Sequence, residues 1–177
     1  MQETIAESED MRVKIILTDA QLDIAKAIAM KRARKPSQYS NKFDPLNSEY
    51  WPHFMGTLGE VAFGYCYGQE PDASLTWKGD DGSDFNDLSA WPGQSVQVKT
   101  RDCERFKNPE LLVRFNHAIA DVYVLTELYK SQPAIVYLVG WCSRLTLIGR
   151  KPEKVGHNLN YRVPRNELTQ FRFKWTI

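Results

Sequence analysis

Cysteine is scarce in this chain: Cys66, Cys103 and Cys142 are the only three. The count is odd and no two form a Cys-x-x-Cys pair, which argues against a disulfide framework and against a zinc knuckle. Reduced thiols fit a cytoplasmic setting. Histidine is equally sparse, and His53, His117 and His157 stand too far apart for a His-based metal motif. No apolar run approaches the roughly 18 residues that a membrane span needs. The N-terminus is acidic and has no secretory apolar segment, so no membrane partner is expected. Charge of one sign is also lacking. With 23 basic and 22 acidic residues the net charge is +1, and any nucleic-acid surface must be local. There are no repeats and no low-complexity stretch.

What is present is ordinary for a globular chain. The 177 residues are 42% apolar and 25% charged, enough for one domain with a sizeable core. Residues 1–10 are polar and acidic and are expected as a flexible tail; residues 11–177 are expected as a single domain. Val13, Ile15 and Leu17 alternate as a short strand. Thr18 and Gln21 have capping-box spacing, and Leu17 and Leu22 occupy the positions of a hydrophobic staple. The helix that follows ends in Lys31-Arg32-Ala33-Arg34-Lys35 and is stopped by Pro36. Cations there suit the helix macrodipole; the alternative is a phosphate-contacting patch. A second helix is expected over Phe54–Tyr67. Strands are expected over 111–115, 121–125 and 134–141, the last two apolar enough for central positions. Arg144–Ile148 reads as a hairpin return, and Phe171–Trp175 as a final strand. The tail is rich in cations, among them Arg150, Arg162 and Arg165, which makes it a further candidate for phosphate contacts.

The chemistry concentrates between Gly56 and Arg101. Glu60 lies on the second helix, with Gly56 and Gly64 one turn to either side. Two glycines bracketing an acid suggest a close approach at that face, by the sheet or by a metal with its substrate. Asp84 follows the Asp80-Asp81-Gly82 turn signal. Asp80, Asp81 and Asp87 read as turn formers. Gln97 and Lys99 flank Val98 and share one face of a strand, while Val96 and Val98 share the buried one. Mg²⁺ takes oxygen ligands and keeps several waters. Glu60 and Asp84 offer two anionic oxygens, Gln97 a neutral one, and Lys99 a compact charge for a developing phosphorane.

In the order helical Glu60, Asp84, then Gln97-Val98-Lys99, the chain resembles the PD-(D/E)XK nuclease superfamily. It is most similar to the branch with Gln-x-Lys, as in Mrr-like endonucleases and small phage nucleases. The helical glutamate also resembles that of archaeal-type Holliday-junction resolvases. The similarity spans about Gly56–Trp141 as a pattern of elements. Two positions depart from it: Ser83 stands where the family has proline, and Gln97 where it has a second acid. The resemblance implies a restriction-endonuclease-like α/β fold, a mixed central sheet flanked by helices. It implies Mg²⁺- or Mn²⁺-dependent DNA cleavage in a bacterial or phage-infected cell. Glu60, Asp84 and Gln97 would be metal ligands and Lys99 the catalytic lysine. Lys31, Arg32, Arg34, Lys35 and Arg101 are the candidate contacts to DNA. A homodimer would let so small a domain address two strands. A non-catalytic nucleic-acid- or protein-binding module on the same fold is the alternative.

Overall fold

The computed structural model describes residues 12–33, 50–71 and 83–171. The expected tail, Arg34, Lys35, Asp80, Asp81 and the strand expected beyond Phe171 lie outside the described residues. In chain order the elements are β1 (Val13–Ile16), α1 (Asp19–Ala33), α2 (Trp51–Cys66), β2 (Phe85–Leu88), β3 (Trp91–Asp102), β4 (Leu111–Arg114), β5 (Val122–Leu128), β6 (Ile135–Ser143), α3 (Arg144–Ile148), β7 (Glu153–Val155) and β8 (Asn158–Val163). Short 3₁₀ turns cover Phe115–His117 and Arg165–Glu167.

The architecture is mixed α/β. Five strands form one sheet in the order β1-β6-β5-β3-β2. It is a mixed sheet, because β3 and β5 run parallel while the other pairs are antiparallel. β5 sits at the centre, and every one of its residues is buried, the apolar run Val122–Leu125 and also Thr126 and Glu127. Its alternate residues feed two separate cores. Val122 and Val124 join the core beneath α1 and α2. Tyr123 and Leu125 join a second core on the opposite face.

Helix α1 starts where its sequence says. The Gln21 side chain accepts from the Thr18 amide at 2.8 Å, and the Thr18 hydroxyl accepts from the Gln21 amide at 3.3 Å. Leu17 is buried in the helical core and Leu22 packs against it. Helix α2 begins at Trp51, three residues before its expected start, with Pro52 in its first turn, where a missing amide hydrogen costs nothing.

The second face holds what the sequence reading did not contain. A three-stranded antiparallel sheet, β4-β8-β7, covers it together with α3. The Gly156-His157 connection between β7 and β8 has φ 61° at Gly156, the positive value a tight hairpin turn needs. Arg144–Ile148 is a helix and not a hairpin return. The Ser143 side chain accepts from the Thr146 amide at 3.1 Å, and that N-cap starts a helical turn which buries Leu147.

Candidate active site

The site is built on the edge of β3. β2 pairs with β3 only as far as Phe85 against Val96. Beyond Val96, β3 has no strand neighbour on that side among the described residues, and Asp84 takes over the pairing. Its amide donates to the Val96 carbonyl at 2.8 Å, and its carboxylate Oδ2 accepts from the Val98 amide at 2.6 Å. Asp84 thus substitutes its side chain for the next residue of a strand, which fixes the carboxylate at the edge.

Alternation along β3 divides the other groups. Val96 and Val98 face the core beneath α2. Gln97, Lys99 and Arg101 face the three-stranded sheet and line a groove of about 410 Å³ there, opposite Arg114, His117 and Asn160. The sequence reading made Gln97's face the open one, but it is covered as well: Gln97 is only 4% exposed. Its side-chain oxygen is buried and has no hydrogen-bond partner among the described residues, and neither has the Nε of Arg101.

Glu60 comes from α2, on the other side of the sheet. Its carboxylate is buried and held by Arg32 through two bonds, 2.6 Å to Oε1 and 2.8 Å to Oε2. The four groups therefore do not share one face. They meet electrostatically at Asp84. Burial, and next the Glu60 carboxylate, push Asp84 well above the usual carboxylate range; the Val98 amide, Lys99 and Arg32 pull it back down. A second negative charge close to a dry carboxyl is the arrangement that a cation relieves.

The other sequence candidates are distributed as follows. Lys31 is exposed in the last turn of α1. Arg32, read as a phosphate contact, spends its guanidinium on Glu60. Arg101 is half-buried in the groove with its guanidinium 4.3 Å over the Phe106 ring. Burial and the neighbouring Arg105 lower its pKa, and Glu110 opposes them. His53 is exposed; partial burial and the nearby Arg32 charge lower its pKa. Asp87, expected as a turn former, lies within β2 where its register shifts, with φ 56° and its carboxylate accepting from the Gly93 amide at 2.7 Å. The basic tail is largely paired: Arg150 with Glu167, Arg162 with Glu110 and Glu153, Arg165 with Glu127. All three cysteines are free, and burial pushes their thiols up to about 11 for Cys66 and Cys142 and about 12 for Cys103.

The glycines around Glu60 resolve differently from expectation. The closest approach to the sheet is at Gly59, where a Cβ would stand 2.0 Å from the Thr100 hydroxyl and 2.4 Å from that of Thr126. At Gly64 it would meet the Gln69 carbonyl at 2.4 Å, whereas at Gly56 there is nothing within 4 Å. Close packing accounts for two glycines, and open space remains one turn before Glu60. Among the described residues no three His, Cys, Asp or Glu side chains gather as a metal ion would need. With both Glu60 oxygens taken by Arg32, the donor set left is one carboxylate, Asp84, and one amide oxygen, Gln97. Those are hard oxygens of the kind that suit Mg²⁺ or Mn²⁺, which need only one or two protein carboxylates. Among the described residues no helix is long and apolar enough to cross a membrane.

Compared with known proteins, the chain matches no family model, no curated protein and no solved structure.

Proposed function

We propose that the chain is a divalent-metal-dependent phosphodiester hydrolase acting on DNA, with its site at the Asp84 edge of β3. The observation that carries this reading is the Asp84 carboxyl itself. It is pinned by the Val98 amide and driven upward by burial and then by Glu60, with Lys99 as a compensating charge. A buried carboxyl perturbed by a specific charged neighbour is a functional-site candidate. The mixed sheet with α2 packed on one face supports a restriction-endonuclease-like fold.

Asp84 and the unpartnered amide oxygen of Gln97 would hold Mg²⁺ or Mn²⁺. Glu60, steadied by Arg32, adds negative charge behind them. A divalent ion at this point supplies Lewis acidity toward the phosphate oxygens. Lys99 holds the charge that builds on the phosphorane as the oxygen of water bonds to phosphorus and the ester P–O bond breaks. The products are a phosphate end and a free hydroxyl.

Incubation with supercoiled plasmid and Mg²⁺ or Mn²⁺ tests the assignment. The wild-type protein should nick or linearise it, and Lys99→Ala and Asp84→Ala should each lose at least about 100-fold in rate, as removal of one charge-stabilising group does. Equal rates in wild type and both variants would refute it. One observation favours a second reading. Both Glu60 oxygens are already committed to Arg32, as they would be in a binding module that has lost its chemistry. DNA binding without cleavage in either metal would favour that module.

A further inference from the structure

We propose that the groove between the two sheets takes a single nucleic-acid strand and excludes a duplex. This deepens the hydrolase reading of the same site and rests on it for the cleavage half of the test below.

Size is the first argument. The groove encloses about 410 Å³, near the low end of the roughly 300–1,000 Å³ that hold one small ligand. A duplex, whose major groove alone is about 12 Å wide, cannot be drawn into that space, which has room for about one nucleotide of an unpaired strand. Charge is the second. Lys99 and Arg101 form the floor and Arg114 stands on the wall. None of the three forms a salt bridge with a described residue, although five other arginines do. Glu110, the acid that acts on Arg101, is bound by Arg162 at 2.9 Å and 2.5 Å. The groove therefore keeps its positive charge while its acidic neighbour is spent elsewhere. The Nε of Arg101 is buried and lacks an acceptor among the described residues; it is the rest of its guanidinium, on the groove side, that a phosphate oxygen would meet.

Aromatic side chains are the third argument. Phe115, between the wall residues Arg114 and His117, is 50% exposed with its ring 5.6 Å from that of Tyr161. Phe106, under the Arg101 guanidinium, is 37% exposed. Neither ring lines the groove itself, but each is attached to it through a lining arginine, and exposed rings beside a positive groove can stack unpaired bases, whose faces a duplex hides.

Fluorescence anisotropy with labelled oligonucleotides of about ten nucleotides, a length within single-strand site sizes, provides the test. A single strand and its duplex are titrated in EDTA, and both are then assayed for hydrolysis in Mn²⁺. The single strand should bind at least about tenfold more tightly than the duplex. Phe115→Ala and Arg114→Ala, both at exposed positions, should each weaken strand binding about tenfold, an effect within the range of one stacked base. Equal affinity for strand and duplex, or an unchanged strand affinity in both variants, would overturn the proposal. Strand-selective binding without hydrolysis would sustain the groove and refute the hydrolase. Equal hydrolysis of strand and duplex would do the reverse.

Discussion

Gly59 is where α2 touches the sheet most closely, because a hydrogen there lets the helix backbone settle against Thr100 and Thr126. Those two hydroxyls are themselves hydrogen-bonded at 2.9 Å, so neither can swing away freely. Gly59→Ala should destabilise the fold by about 1–3 kcal/mol, the usual cost of an overpacked core. Urea unfolding would show it as a lower midpoint with an unchanged slope. A midpoint equal to the parent's would mean that the helix has room to move outward. The sequence drew attention to Gly56 and Gly64 because they flank Glu60 at helical spacing. It could not show that Gly59 is the one facing the strand. That depends on Thr100 and Thr126, and helical periodicity carries no information about distant partners. The same limit applies to Gln97. Strand alternation correctly gave it the same face as Lys99, but whether that face is open or covered depends on β4 and β8.

At the scale of elements, the Arg32–Glu60 pair joins α1 to α2, and both side chains are largely out of water. Removing one member of such a pair leaves the other charge buried without compensation. Arg32→Ala should therefore cost about 3 kcal/mol of stability, measurable by urea denaturation. As a mere phosphate contact Arg32 would change DNA affinity and leave the midpoint in place, so the two roles separate cleanly. The elements themselves were unequally legible. Thr18 and Gln21 announce α1 because a capping box is local chemistry. β5 is recognisable as central from its apolar run Val122–Leu125, whereas the burial of Thr126 and Glu127 at its end is not legible in the sequence. The β7–β8 hairpin was missed because Glu153-Lys154-Val155 has one apolar residue, and it is a strand only by virtue of pairing with β8. α3 was misread because the apolar residues of Arg144–Ile148 suit a strand, and the deciding group, the Ser143 cap, lies just outside that segment.

For the molecule as a whole, charge is arranged by pairing and not by composition. Among the described residues, Arg150, Arg162 and Arg165 of the basic tail are paired with Glu110, Glu127, Glu153 and Glu167, whereas Lys99, Arg101 and Arg114 in the groove form no salt bridge; a net charge of +1 conceals both facts. The acid side of that arrangement gives the last prediction. Burial and Glu60 raise Asp84 in the folded state, so the fold favours its protonated form. The contribution of Asp84 to stability is then full below the ordinary carboxylate pKa and is lost as pH rises through the raised value. A divalent cation needs the ionised form and must displace that proton. Thermal unfolding in EDTA and in Mn²⁺, followed from about pH 5 to about pH 8, should show two opposed trends. Without metal, Asp84→Asn should gain on the wild type as pH rises, because it never ionises and can still accept from the Val98 amide. With Mn²⁺ at about 100 times its Kd, the wild type should gain about 3 kcal/mol at the upper end of the range. At this chain length that is a rise of roughly 5–10 °C. The gain should shrink toward acid pH as the proton wins the site, and Asp84→Asn should show none. A Mn²⁺ shift that is independent of pH, or that survives in Asp84→Asn, would mean that the ion binds elsewhere and that the buried carboxyl is a structural device for ending β2.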